Sequence, residues 1–161
     1  MPDRIAHLGL QPHPEGGFYR EYLRATEQVI HPVHGQPRAA VTGIWFYLPA
    51  DTFSALHVVA STEIWHHLQG DAVELHLIHP DGRYELVLLG PDDDAHTSQH
   101  AVPPGVWQAS VPRGPTGALC GCTVAPGFDF ADFQMPPREA LLALFPQHAE
   151  RIARLTRASA A

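Results

Sequence analysis

The chain has 161 residues, 45% of them hydrophobic, and a formal net charge of -7. All ten of its basic residues are arginine, which excludes a lysine Schiff base, and an acidic balance with no basic cluster argues against nucleic acid and anionic membrane surfaces as partners. That length supports one full hydrophobic core, and with no second compositional block a single domain over residues 1–161 is expected.

Residues 3 to 10 read as one short helical turn, with Asp3 as cap and Ile5, Leu8 and Leu10 as its apolar contacts. The segment QPHPEGG (11–17) must then run extended or turning, and its glycine pair lets the backbone approach another surface closely. Residues 18 to 24 alternate as a strand, with Phe18, Arg20, Tyr22 and Arg24 on one face. Two arginines among aromatics fit either a half-exposed edge strand or an anion contact, and Arg20 is the candidate for the latter. Residues 28 to 38 read as a polar loop or lid in which His31 and His34 are solvated, with no third ligand in view. Residues 39 to 48, rich in β-branched and aromatic side chains, read as a strand.

The stretch DTFSALHVVASTEIWHHLQG (51–70) organises the rest. His57 sits in an alternating run. After a turn at 60–62, Glu63, Trp65 and His67 share one face of the next strand, because strand side chains repeat every second residue. Two paired strands therefore aim His57 and Glu63 into one interior, the pieces of a metal site or of an acid/base pair. The alternative is a buried hydrogen-bonded pair, kept because an unsatisfied partner costs about 1–3 kcal/mol.

Residues 72 to 89 form a hairpin around Pro80-Asp81-Gly82, with His76 on the polar, solvent side. GPDDDAHTS (90–98) lacks the alternating ligand spacing of a calcium loop and reads as a solvated charge run. Residues 99–102, 107–111 and 118–125 are further strands, Trp107 and Ala109 facing opposite to Gln108. Cys120 and Cys122 share one side of the last strand and are expected as buried free thiols. From Pro137 the apolar period turns helical, with Pro146 splitting the segment in two. Strands first and helices last describe an all-β barrel, core about 18–133, with a helical tail at about 137–158. The N-terminus shows no signal-peptide core, so a cytoplasmic protein is expected.

The spacing in 51–70 resembles the first motif of the cupin superfamily. Glu63 and Gly70 match, His57 stands for the first histidine, and Val59 and Asp51 replace the second histidine and the opening glycine. In the second motif Pro103 and Gly105 match, and Gln108 replaces a histidine. LGLQPHPEGGFYREYLR, STEIWHHLQG, VPPGVWQAS and GCTVAPGFDFADF together look like the cupin family long catalogued as a domain of unknown function. The resemblance covers residues 8 to 133, although Leu56-His57-Val58 stands where that family usually has Trp-His-Arg. It implies a cupin-type double-stranded β-helix, or jelly-roll barrel, commonly a homodimer, with a small-molecule pocket in its mouth.

The resemblance also implies a metal position at His57, Glu63 and Gln108. With only one imidazole it would hold a divalent metal weakly unless His67 completed it. Without metal, His57 and Glu63 resemble the base and its orienting carboxylate in epimerase- or isomerase-like proton transfer. Trp65 and Trp107 would supply flat walls, and Gln108 and Arg20 polar contacts. A non-catalytic binder of a sugar or organic acid, and a metal-dependent oxygenase or isomerase, are the alternatives.

Overall fold

The structure is a computed structural model and describes residues 4–91 and 93–157. The proposed Asp3 cap, the first aspartate of the 92–94 run and the end of the helical tail at 158 lie outside the described residues. After α1 (Arg4–Leu8) come β1 (Gln11–Pro12), β2 (Phe18–Arg24), β3 (Gln28–Ile30), β4 (Pro37–Ala39), β5 (Thr42–Leu48), β6 (Ser54–Val59) and β7 (Thr62–Gly70). They are followed by β8 (Val73–Ile78), β9 (Tyr84–Leu89), β10 (Gln99–Val102), β11 (Trp107–Pro112), β12 (Ala118–Ala125) and β13 (Phe133–Gln134). Helices α2 (Arg138–Leu144) and α3 (Ala149–Arg154) come last, with a 3-10 turn at Pro146–His148 between them. The strands build a six-stranded sheet ordered β1-β2-β5-β12-β7-β10, facing a five-stranded sheet ordered β13-β6-β11-β8-β9. This is a jelly-roll barrel with short C-terminal helices, as the sequence predicts. No helix among the described residues is long and apolar enough to cross a membrane.

The alternation of each strand divides the apolar residues between two cores. Phe46, Leu48, Trp65, Leu75, Leu77, Val102 and Cys120 fill the space between the sheets. Leu56, Ile78 and Ala109 point outward from the five-stranded sheet and are covered by Leu141, Phe145, Ile152 and Leu155 of the tail. The tail exists because that outer face is apolar and needs a second layer. Gly70 ends β7 with φ +96, where a Cβ would collide with the carbonyl of Gly117, so the motif glycine is needed for backbone to pass backbone.

Two expectations are corrected. β6 and β7 do not pair with each other: β6 lies between β13 and β11, and β7 between β12 and β10. The turn at Ala60–Ser61 carries the chain from one sheet to the other, so His57 and Glu63 face each other across the barrel. Residues 28–39 are not an open loop but a separate two-stranded hairpin, with Val29 opposite Arg38. Pro32 lies in its connecting turn and Pro37 opens β4, where a two-stranded ribbon has free edges at which a missing N–H costs nothing.

Candidate active site

The barrel mouth encloses a cavity between His13, Glu15, His57 and Glu63, walled by Tyr19, Phe46, Phe128 and Phe133. It offers about 30 Å³ to water centres, where one water needs about 10–15 Å³ on that measure. It has room for two or three waters or a small polar group. Glu15 belongs to the QPHPEGG segment, whose backbone is pinned at Glu15 by a hydrogen bond from the Ala55 N–H at 2.8 Å. That brings Glu15 Oε2 to 3.3 Å from His57 Nε2 and 3.4 Å from His13 Nδ1, while Ser54 Oγ donates to Glu15 Oε1 at 2.8 Å. His57 Nδ1 donates to the Ala55 carbonyl at 2.8 Å. That bond fixes the Nδ1–H tautomer of the neutral ring and turns the Nε2 lone pair towards Glu15. Glu63 is held from the other sheet: Gln108 Nε2 donates to its Oε2 at 2.6 Å, and Trp65 Nε1 donates to Gln108 Oε1 at 2.8 Å.

Burial sets the protonation states. Desolvation pushes Glu15 up to about 8. It also pushes Glu63 up to about 7, with Glu15 adding to the rise and His57 opposing it. Burial, and then the neighbouring His57, push His13 down to about 4, and burial pushes His57 down as well. Near neutral pH the Glu15–His57 contact is therefore a neutral acid facing a neutral base, because a low-dielectric cavity disfavours the ion pair.

The structure brings together only part of the set expected from sequence. His57, Glu63 and Gln108 converge, but the ring of His57 is oriented by Ala55 and Glu15, and Glu63 is occupied by Gln108. Trp65 is buried in the core beneath the cavity, 1% exposed, and its indole positions Gln108. Trp107 lies outside the barrel, its ring 6.5 Å from that of Phe145, because Gln108 takes the inward register on β11. His67 Nε2 reaches the Asp71 carbonyl at 3.0 Å and is not among the residues that line the cavity. Arg20 is exposed; Tyr19 is the inward residue of β2, opposite to the face predicted. His76 is buried rather than solvated, with Nδ1 2.8 Å from the Tyr84 hydroxyl, because Tyr84 and α3 close over that part of the sheet. Cys120 and Cys122 are free and buried as expected. His13 and Glu15 were missed. Their signal was the glycine pair after PHPE, which allows the close approach that carries them inward.

The family profile described as "Cupin superfamily (DUF985)" matches residues 3–136. The chain belongs to this cupin family. Two solved structures share the whole fold of this cupin. A hypothetical protein from Leishmania major is 32% identical, with TM-score 0.89, covering 94% of this chain and 96% of its own. A protein from Shewanella oneidensis is 34% identical, with TM-score 0.89, covering 98% and 97%. Oxalate decarboxylase of Bacillus subtilis, a protein with Mn(II) centres, is 17% identical with TM-score 0.60 over 93% of this chain and 38% of its own; it shows the fold alone. No curated protein matches this cupin.

The donor set at the metal position of the superfamily does not suit a metal in this cupin. Both ends of the Gln108 amide are engaged, so of the three residues at that position only His57 Nε2 and one oxygen of Glu63 remain, and that pair alone is a weak set for a first-row ion. A different group has the composition of a metal site. The ligating atoms of His31, His34 and Asp132 lie within 4.8 Å of one another, so the two histidines do have an acidic third neighbour; His31 is buried where it was expected solvated, while the His34 side chain stays partly exposed. His31 is 0% exposed, its Nε2 3.0 Å from Ser61 Oγ. Its geometry is that of an anchor. The two rings stack at 4.0 Å and 12°, so their in-plane lone pairs run side by side and do not meet at a point about 2 Å from each, as a metal requires. Each Nδ1 accepts a backbone N–H, from Val33 and Gln36, and Arg38 donates to both oxygens of Asp132 at 2.7 Å.

Proposed function

We propose that this cupin binds a small polar metabolite in the barrel mouth and moves a proton on it, as an epimerase or isomerase does. The observation that carries the reading is the facing of His57 Nε2 and Glu15 Oε2, 3.3 Å apart in an aromatic cavity with Glu63 on the opposite wall. A neutral imidazole is a competent base for a C–H beside a carbonyl, and a neutral carboxylic acid donates to the oxygen that gains charge. His57 takes the C–H proton while Glu15 or Glu63 protonates the carbonyl oxygen, giving an enediol; the carboxylate so formed takes back one enediol hydroxyl proton as a proton returns to the other carbon, or to the other face, so that acid and base regain their starting states. Among the described residues, those lining the cavity include no arginine, and ionised carboxyls are disfavoured there. An uncharged carbonyl compound is therefore the substrate class, in place of the anion that Arg20 was expected to hold.

The test is solvent deuterium exchange into dihydroxyacetone, glyceraldehyde and small ketosugars, followed by NMR. Wild type should exchange at least one of them, and His57→Asn should lose about 10²- to 10⁴-fold, the range for a general base. Equal exchange by His57→Asn would remove the role. Saturable binding of a candidate without exchange would make the protein a non-catalytic binder.

A further inference from the structure

The Glu15–His57 pair is braced from the far end of the chain. Arg157 Nη1 donates to the Glu15 carbonyl at 2.6 Å, and its Nη2 donates to the Phe53 carbonyl at 2.8 Å. The guanidinium carbon lies 4.5 Å from the centre of the Phe53 ring. The space the guanidinium occupies exists because residue 16 is glycine: at φ +110, a Cβ there would collide with Arg157 Nη2. Just before it, the Leu155 carbonyl accepts the Leu56 N–H at 2.9 Å. Residues 155–157 therefore grip both arms of the pair, β6 beside His57 and the PHPEGG segment at Glu15. Two charge-assisted bonds from one planar fork fix direction as well as distance, and the cation sits where it favours the ionised form of Glu15.

We propose that Arg157 is a positioning residue of this site, setting the Glu15 carboxyl against His57 through its two bonds to the Glu15 and Phe53 carbonyls. The inference rests on the proton-transfer reading only for its consequence in turnover; the positioning itself can be measured without substrate. Arg157 touches no reacting atom in that reading and acts through the Glu15 backbone.

The experiment compares the full-length wild type with Arg157→Ala and Arg157→Lys. ¹³C-carboxyl NMR of labelled glutamate, assigned with Glu15→Gln, reads the Glu15 titration, and amide hydrogen exchange reads the Ala55 N–H. In Arg157→Ala, Glu15 should titrate at higher pH than in wild type. The Ala55 amide should exchange roughly tenfold to a hundredfold faster, the loss expected when a charged hydrogen-bond donor goes. Arg157→Lys should fall between the two, and millimolar guanidinium chloride should move the Arg157→Ala titration back towards wild type, which sodium chloride at equal ionic strength should not. A purely structural tail residue would lower the melting temperature while leaving the Glu15 midpoint in place and unresponsive to guanidinium, and that result overturns the proposal. If these readouts shift but no substrate exchanges deuterium, the positioning role stands and the isomerase reading falls.

Discussion

At the scale of single residues, the site depends on ionisable groups that are buried without a strong counter-charge, and this leaves a signature in stability. A carboxyl whose folded pKa is raised binds more protons folded than unfolded, so its contribution falls as pH climbs from the ordinary value to the folded one. For Glu15 that window runs from 4.5 to about 8, and for Glu63 from 4.5 to about 7. His13 acts in the opposite sense: lowered from 6.5 to about 4, it adds stability as pH rises between those values. The two effects oppose each other below 6.5, and above it the carboxyls act alone. Stability should therefore decline between pH 6.5 and 8 by roughly 2 kcal/mol in unfolding free energy, seen as a falling melting temperature. Glu15→Gln, which keeps an amide in place of the acid, should flatten that decline. An unchanged slope in this variant would show that Glu15 is ionised throughout.

At the scale of elements, the hairpin of β3 and β4 is fastened to the segment that walls the cavity. Arg38 on β4 grips Asp132, and His34 Nε2 lies 3.0 Å from the same carboxylate. Asp132 stands between Phe130 and Phe133, and Phe133 packs its ring 5.3 Å from His57. The aromatic wall therefore takes its position from the hairpin as well as from the barrel. Arg38→Ala leaves the Asp132 carboxylate with a single imidazole partner and should lower the urea midpoint of unfolding. Tryptophan fluorescence is a poor reporter here, because none of the three tryptophans lies in the 128–134 segment. Hydrogen exchange of residues 128–134 is the direct one: it should accelerate in Arg38→Ala beyond what the global loss explains, and uniform acceleration would mean that the anchor serves stability alone.

At the scale of the whole molecule, β2 pairs with β1 only at Phe18 and Tyr19, so from Arg20 onward its outer edge carries unpaired backbone groups. Tyr22 is 52% exposed, and Ile30 and Val33 on the adjacent hairpin are 69% and 70% exposed. An open edge beside apolar side chains is covered in stable proteins, most simply by a second copy across a two-fold axis. We expect light scattering at micromolar concentration to give twice the 17.6 kDa chain mass, and Tyr22→Glu with Ile30→Asp to reduce it to the monomer. A monomeric wild type at every concentration refutes this.

The amino-acid order by itself determined the β-barrel and its helical tail, because period-two alternation and a final switch to helical period are local properties that burial enforces everywhere along a chain. It also aimed His57 and Glu63 inward, since strand parity needs no tertiary information, whereas parity only set Gln108 opposite Trp107 and the motif resemblance put Gln108 at the site. It did not determine which sheet each strand joins, and so it paired β6 with β7 where the barrel sets them face to face. Nor could it bring Glu15, His13 and Arg157 to His57, or Asp132 to His31 and His34. Those contacts join segments separated by up to 142 positions, and nothing in local spacing encodes a meeting that only closure of the barrel creates. The protonation states followed the same division: residue types allowed an acid and a base, and only the burial of both in one aromatic cavity decided that they stay neutral.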